Sequence, residues 1–128
     1  MKVLAREVNL KECPPHIASL GYGQPHNVRI TAGREYVVHA MSLFRGVLDL
    51  QIIDDIDYPA WYPAWFFDNS DMTIPSDWIC NFQRDDHQLI IGPSFLAKSE
   101  EAYTAMVQLE PEPVKLFWER VKASSEGT

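Results

Sequence analysis

The residue types best suited to binding chemistry are concentrated between positions 54 and 82 of this 128-residue chain. The stretch holds six aspartates, no Lys, Arg or Glu, and three of the four tryptophans. Carboxylates beside aromatic rings attract cations, because the ring face adds a cation–π contact to the charge-assisted hydrogen bond. The candidate partner- or ligand-binding residues are the acidic and aromatic side chains at the start of the stretch: Asp54, Asp55, Asp57, Tyr58, Trp61 and Tyr62.

The aromatic rings also have a structural interpretation, since a large aromatic side chain buries roughly 150–250 Å² in a core. Three of the rings are predicted to close one end of the fold: Trp65, Phe66 and Trp78. Trp61 and Tyr62 lie between prolines that stiffen the chain, and for these two rings burial and exposure are equally open. Residues 54–63 are therefore predicted to form a stiff, acidic and aromatic loop.

The net charge of −7 comes from the middle of the chain. Residues 54–86 hold eight aspartates and one arginine, whereas residues 1–53 carry a net charge of +2 and residues 87–128 a net charge of −2. Binding to nucleic acid needs clustered Lys and Arg for the phosphates, so this distribution argues against a nucleic-acid partner. It favours a cationic partner: a basic protein, an amine-bearing small molecule or a metal ion.

Two groups of residues come near to metal-site patterns without matching them. Cys13 and His16 have half of a zinc spacing, and Cys80 and His87 are too poorly spaced to complete it. The aspartates between positions 54 and 71 offer oxygen ligands but lack the central glycine of a calcium-binding loop. We expect no metal and no cofactor, and we interpret both cysteines as free thiols.

No catalytic motif is present in the sequence. There is no nucleophile elbow, no phosphate-binding loop and no dinucleotide fingerprint. His39 lies between Val38 and Ala40 in a predicted strand, which indicates a histidine at the edge of a core. Spacing alone selects no acid–base pair among the aspartates, so enzymatic activity is uncertain and not favoured.

Size and composition predict one soluble domain. With 46 % hydrophobic and 23 % charged residues, the chain is typical of a globular protein, with a single domain over residues 1–123 and a frayed tail over 124–128. No apolar run is long enough to span a membrane, and the first residues lack the apolar core of a signal peptide. A cytoplasmic location is the expectation.

The most strongly predicted element is a β-hairpin. Residues 36–44 are rich in β-branched and aromatic residues, Arg45-Gly46 is a tight-turn signal, and residues 47–53 alternate as the return strand. The alternation places two sets of side chains on opposite faces: Val47, Asp49 and Gln51 on one, and Leu48, Leu50 and Ile52 on the other.

Shorter elements flank this hairpin. Strands are predicted within residues 1–10 and over 28–30, 79–83 and 87–91, and Pro63 is predicted to begin one helical turn. Two loops are predicted from their turn-forming residues: one at Gly21, Gly23 and Pro25, the other at Asp85-Asp86.

Helical periodicity replaces the strand pattern after Gly92-Pro93. Ser99 is the predicted N-cap of a helix that reaches Leu109, and Pro111 and Pro113 begin another helix. The apolar face of that second helix follows from its spacing: Val114, Phe117, Trp118 and Val121. Strands followed by helices predict an α+β fold, with a small curved antiparallel sheet or a partly open SH3-like barrel and two C-terminal helices.

Five short motifs occur in order between about residues 33 and 92: Tyr36-Val37-Val38, Asp54-Asp55, Trp61-Tyr62-Pro63, Phe66-Phe67-Asp68, and Ile74-Pro75 with Trp78. In this order the chain resembles a group of small, uncharacterised bacterial proteins of SH3-like and immunity type. Immunity proteins neutralise toxins inside the producing cell, and chains of this kind also occur as cargo of mobile elements. The resemblance implies a binder rather than a catalyst.

The leading hypothesis is a cytoplasmic, non-enzymatic, immunity-like protein whose acidic and aromatic face binds a basic protein partner. The alternative is a small-molecule binder in which Trp61, Tyr62 and an aspartate form a cage for an organic cation. A metal-dependent hydrolase is the third and least favoured hypothesis. No hypothesis involves nucleic acid or a membrane.

Overall fold

The computed structural model of the chain describes residues 1–19, 28–84 and 87–126. Its strands are β1 (Lys2–Ala5), β2 (Glu35–Val37), β3 (Ala40–Phe44), β4 (Val47–Ile53), β5 (Pro59–Pro63), β6 (Phe67–Asp71), β7 (Trp78–Gln83) and β8 (Gln88–Pro93). Its helices are α1 (Pro15–Ile17), α2 (Ser94–Ala97), α3 (Glu100–Val107) and α4 (Pro111–Glu126). The loop predicted at Gly21, Gly23 and Pro25 and the turn predicted at Asp85-Asp86 lie outside the described residues.

The strands form two antiparallel sheets. One has three strands in the order β2-β1-β6, and the other has five strands in the order β5-β4-β3-β8-β7. Over the residues that can be described, both sheets are curved and neither closes into a barrel. The predicted α+β class, with antiparallel strands followed by C-terminal helices, is confirmed.

The predicted hairpin is confirmed in β3 and β4. Ala40 pairs with Gln51 at one end of this ladder and Phe44 with Val47 at the other. Arg45-Gly46 joins the strands with positive φ angles of 52° and 77°, the left-handed conformation that a two-residue hairpin turn requires. This register places Leu50 and Asp49 on opposite faces of β4, as the alternation predicts.

The single strand predicted over residues 36–44 is wrong, because the chain changes sheets in the middle of it. The backbone N–H of Val38 donates to the Met1 carbonyl at 2.9 Å, whereas that of His39 donates to the Gln51 carbonyl at 2.8 Å. Consecutive residues thus bond to different sheets, which separates β2 from β3.

Among the described residues, two cores lie between the layers. The first lies between the sheets and contains ten buried side chains: Val3, Ala5, Tyr36, Val38, Met41, Leu50, Ile52, Tyr62, Phe66 and Phe67. The second lies between the five-stranded sheet and the helices: Ala40, Ile90, Leu96, Ala97, Met106 and Phe117. Of the three rings predicted to close one end, Phe66 is in the first core, and Trp65 and Trp78 pack partly buried against it.

The loop predicted over residues 54–63 needs correction in its second half, which is strand β5. β5 is the edge strand of the five-stranded sheet and pairs with β4, with Pro59 opposite Ile53 and Pro63 opposite Asp49. Proline lacks the N–H that an inner strand must donate, but an edge strand leaves that side unpaired. The two prolines are therefore compatible with a strand at this position.

The helices follow the sequence signals closely. Ser99 caps α3, since its hydroxyl oxygen accepts the Ala102 N–H at 3.1 Å, although α3 ends at Val107 rather than Leu109. α4 begins at Pro111 as predicted and continues to Glu126, into the stretch predicted to fray. None of the described helices is long and apolar enough to cross a membrane.

Other differences concern short elements. The strand predicted at 28–30 is irregular chain, whereas β6 and α2 have no predicted counterpart. The helical turn predicted after Pro63 is present as a 3-10 turn over Ala64–Phe66. Trp118, predicted on the apolar face of α4, is exposed, although Val114, Phe117 and Val121 pack against the sheet.

Candidate functional site

Four of the six predicted binding residues lie in residues 54–58, the acidic turn between β4 and β5. The N–H of Asp54 donates to the Tyr58 carbonyl at 3.0 Å, and the N–H of Asp57 donates to the Asp54 carbonyl at 3.0 Å. Asp57 has a φ of 61°, a left-handed conformation that Asp tolerates better than most residues. The turn is therefore closed by its own backbone.

The buried carboxylate of Asp54 holds this turn from inside. Only 2 % of the residue is exposed, and its Oδ1 accepts the N–H groups of Ile56 and Tyr58, each at 3.1 Å. Its Oδ2 accepts the Tyr62 hydroxyl at 3.3 Å, while the Tyr62 hydroxyl oxygen accepts the Arg29 N–H at 3.1 Å. Burial and the negative charge of Asp54 raise the pKa of Tyr62 to about 12, so the hydroxyl stays protonated.

Asp55 fastens the turn to the segment that leads into β2. Its carboxylate accepts the Thr31 hydroxyl at 2.7 Å, the Arg34 guanidinium at 2.7 Å and the Tyr36 hydroxyl at 2.6 Å. Its N–H donates to the Arg29 carbonyl at 2.8 Å. Burial raises the pKa of the Asp55 carboxyl, but the hydrogen bonds from Thr31 and Tyr36 and the charge of Arg34 outweigh it, and the pKa lies below its ordinary value.

These contacts divide the predicted residues into two groups. The Asp54 carboxylate is hydrogen-bonded inside the fold, and the Asp55 carboxylate is hydrogen-bonded at the surface. The exposed side chains are those of Ile56, Asp57 and Tyr58, with exposed fractions of 47 % for Ile56 and 57 % for Tyr58. We call these three residues the turn tip. Ile56 is absent from the predicted set, and its one sequence signal is an isolated apolar residue between aspartates.

Trp61 and Tyr62 do not lie together. Neighbouring residues of a strand point to opposite faces, and here the faces belong to different cores. Tyr62 is 2 % exposed and lies between the sheets, opposite Leu50. Trp61 is partly buried under the helices, where its ring meets that of Tyr103 edge to face at 5.5 Å. The structure therefore does not bring the two rings into a shared cage.

The turn tip combines an apolar, an acidic and an aromatic side chain on a backbone that is already fixed. Binding through such a tip loses little conformational freedom, because the hydrogen bonds to Asp54 and Asp55 have ordered it in advance. The Asp57 carboxylate can accept hydrogen bonds from a Lys or Arg side chain, and the Tyr58 ring can contact the same cation. The chemistry available at the tip is recognition of a cationic group.

Metal ligands are not grouped in the described ranges 1–19, 28–84 and 87–126. No three side chains of His, Cys, Asp or Glu there are close enough to hold an ion. The two cysteines that the sequence singles out are both free thiols. Cys80 is exposed and Cys13 is half-buried. Burial raises the pKa of the Cys13 thiol, which keeps it protonated and weakens it as a ligand.

Comparison of the chain with protein-family models, with curated proteins and with solved structures finds no match to any of them.

Proposed function

We propose that this chain is a non-enzymatic, immunity-like binding protein that uses the acidic turn to bind a basic protein partner in the cytoplasm. The observation that supports this function is the exposed turn tip, Ile56, Asp57 and Tyr58, on a turn whose own carboxylates, Asp54 and Asp55, are already hydrogen-bonded. The buried carboxylate of Asp54 and the hydrogen-bonded carboxylate of Asp55 hold three exposed side chains in a single arrangement. That division of roles is what a preformed recognition loop requires.

Charge favours a basic partner. Residues 54–86 carry a net charge of −7, equal to that of the whole chain. A field of one sign steers oppositely charged partners towards the surface and raises the association rate, and this effect weakens with salt. At the tip itself, the Asp57 carboxylate offers a charge-assisted hydrogen bond, and Ile56 and Tyr58 offer apolar and aromatic contact.

The form of the tip favours a macromolecule over a small molecule. Small ligands bind in concave sites that cover most of their surface. Ile56 and Tyr58 are instead about half exposed on a turn, and the two rings proposed for an organic-cation cage face different cores. A protein surface can cover a protruding turn, whereas a single amine cannot.

Replacing two of the tip side chains should strongly reduce capture of a basic protein from cells that produce this chain. We expect immobilised wild-type protein to retain the partner at about 50 mM salt and to release it at about 0.5 M, where charges are screened over a few ångströms. The double variant Asp57→Asn/Tyr58→Ser should retain about tenfold less, because a recognition turn loses its main contacts with those two side chains. Quantitative mass spectrometry of the eluates measures both effects.

A matched control is available on α4. Trp118 and Glu119 are another exposed aromatic–acidic pair, so Trp118→Ser/Glu119→Gln removes the same chemistry from a different surface. The control should capture as much partner as wild type, and circular dichroism should show that both variants remain folded. Equal capture by the tip variant and wild type, or an acidic partner, would contradict the proposed function.

A further inference from the structure

A cleft of about 640 Å³ lies between the chain crossing from β2 to β3 and the C-terminal part of α4. Val38 and His39 form its floor at the crossing, Arg120 and Ser124 line it from α4, and Trp78 lines it from the start of β7. Its volume lies within the range of pockets that hold small molecules. None of these residues belongs to the turn tip.

The cationic side chains that line the cleft are each paired with a carboxylate. Lys2, Arg34 and Arg120 line it, and Glu35 is the one carboxylate among its described lining residues. Lys2 lies 3.8 Å from Glu35, so that pair is largely neutral. Arg34 and Arg120 are paired in the same way, Arg34 with Asp55 at 2.7 Å and Arg120 with Asp77, so the cleft offers an anion the guanidinium N–H donors that these pairs leave unused.

Carboxylates outside the cleft lining hold these guanidinium groups. Asp77 accepts two hydrogen bonds from Arg120, one of them at 2.8 Å, and Asp55 accepts one from Arg34 at 2.7 Å. A guanidinium has five N–H donors in a planar fork, so each arginine keeps donors for another acceptor while its position is fixed. This arrangement is typical of arginines that bind carboxylate or phosphate oxygens.

His39 adds a neutral polar group to the same cleft. Its ring packs edge to face on Phe117 at 5.0 Å, and no residue in the described ranges hydrogen-bonds to its imidazole. Burial, and after it the charge of Arg120, lowers the pKa of His39 to about 4. At neutral pH the ring therefore presents one N–H donor and one acceptor nitrogen, without a charge of its own.

We propose that this cleft binds a small organic anion, with its carboxylate or phosphate at Arg120 and Arg34 and its flat ring against Trp78. Trp78 is half-buried in the cleft wall, which leaves part of the indole for contact with a planar group. His39 hydrogen-bonds the same ligand. This site does not depend on the function proposed for the acidic turn.

Titration with phenyl phosphate and with benzoate tests the site, followed by NMR of the His39 imidazole and the Trp78 indole N–H. We expect saturable shifts of both signals, with no change at His16, which is exposed and distant in the chain. A bound anion also offsets the charge of Arg120, so the pKa of His39 should rise by about 1 on binding. Benzamide, which has the same ring without the charge, should bind about tenfold more weakly or not at all.

Variants localise the binding. Arg120→Gln should weaken phenyl phosphate about tenfold, whereas Lys115→Gln, which removes an exposed cation from α4 outside the cleft lining, should leave it unchanged. Ser124→Glu, which adds a negative charge at the cleft edge, gives a second test in case Arg120→Gln unfolds the protein. Absence of saturable shifts, equal binding of benzamide, or full affinity in the Arg120→Gln and Ser124→Glu proteins would overturn the assignment.

Discussion

Replacing Asp54 by alanine should lower the free energy of unfolding by about 3 kcal/mol. The substitution leaves the N–H groups of Ile56 and Tyr58 and the Tyr62 hydroxyl without their acceptor. The Asp54 side chain that is removed is almost fully buried. A hydrogen bond to a charged acceptor contributes about 1.5–3 kcal/mol, and water can replace only the part that faces solvent. Urea unfolding measures the change.

The same variant should release the turn tip. Amide hydrogen exchange at Ile56 and Tyr58 should become faster, because both N–H groups lose the carboxylate that fixes them. Asp57→Asn is the matched control, since it changes an exposed aspartate of the same turn to a residue that also tolerates positive φ. The control should alter stability by less than about 0.5 kcal/mol. A loss in Asp54→Ala no greater than in this control would show that Asp54 does not hold the turn.

Replacing Asp49 by asparagine should raise the free energy of unfolding at pH 7.5. Asp49 lies on the helix-covered face of β4, and its Oδ1 is buried without a hydrogen-bond partner in the described part of the chain. Burial raises the pKa of this carboxyl to about 6. This difference in pKa from the ordinary value of an Asp carboxyl corresponds to about 3 kcal/mol for full burial. Since Asp49 is half-buried, we expect the free energy of unfolding to rise by about 1–2 kcal/mol.

The sign of the pH dependence follows from this pKa. The folded state holds the Asp49 proton more tightly than the unfolded state, so Asp49 favours folding below about pH 4 and loses that contribution as pH rises through about 6. His39 acts in the opposite direction, because its pKa in the fold is lowered to about 4. The unfolded chain takes up the His39 proton first, so stability is lost as pH falls from about 6.5 to 4.

The two residues therefore offset each other in wild type between about pH 4 and 6.5. Asp49→Asn should remove one of the opposing slopes, so that stability falls more steeply with acidification than in wild type. Unfolding by urea at pH 4.5, 5.5, 6.5 and 7.5 measures both profiles. Identical profiles and no gain at pH 7.5 would contradict the burial argument for Asp49.

Local chemistry determines the elements that the sequence predicts best. Arg45-Gly46 between alternating strands, and Ser99 followed by Glu100 and Glu101, are signals that act within a few residues. The tertiary structure is compatible with these elements but is not needed to specify them. For the same reason, the start of α4 at Pro111 could be predicted without information on the rest of the fold.

The wrong predictions concern segments whose secondary structure depends on pairing with strands that are distant in sequence. β5 is a strand despite its two prolines because β4 supplies the pairing and the other edge remains open. β6 is polar over Asp68–Asp71 and has no strand-like pattern, yet β1 pairs with it. The switch between sheets at Val38 and His39 is likewise invisible in a run of strand-forming residues. The local sequence does not determine which strand will pair with a given edge strand.

The site shows the same limit. Composition located the acidic and aromatic turn, but the roles within it depend on hydroxyl groups that lie outside the turn. Asp55 meets Thr31 and Tyr36 only after β2 has joined its sheet, and Asp54 meets Tyr62 only after β5 has paired with β4. The carboxylates of two consecutive aspartates that suggest binding to a partner therefore accept hydrogen bonds from other residues of the same chain.

Site-specific crosslinking tests the central claim, that the turn tip contacts a basic protein, most directly. A photo-crosslinking phenylalanine analogue placed at position 58 should replace an exposed aromatic side chain with little effect on the fold, and the same analogue at position 118 serves as control. In cells that produce the protein, we predict a crosslinked product from position 58 whose partner is basic, with none from position 118. Crosslinking from position 118 alone, or from neither position while both proteins remain folded, would contradict the claim.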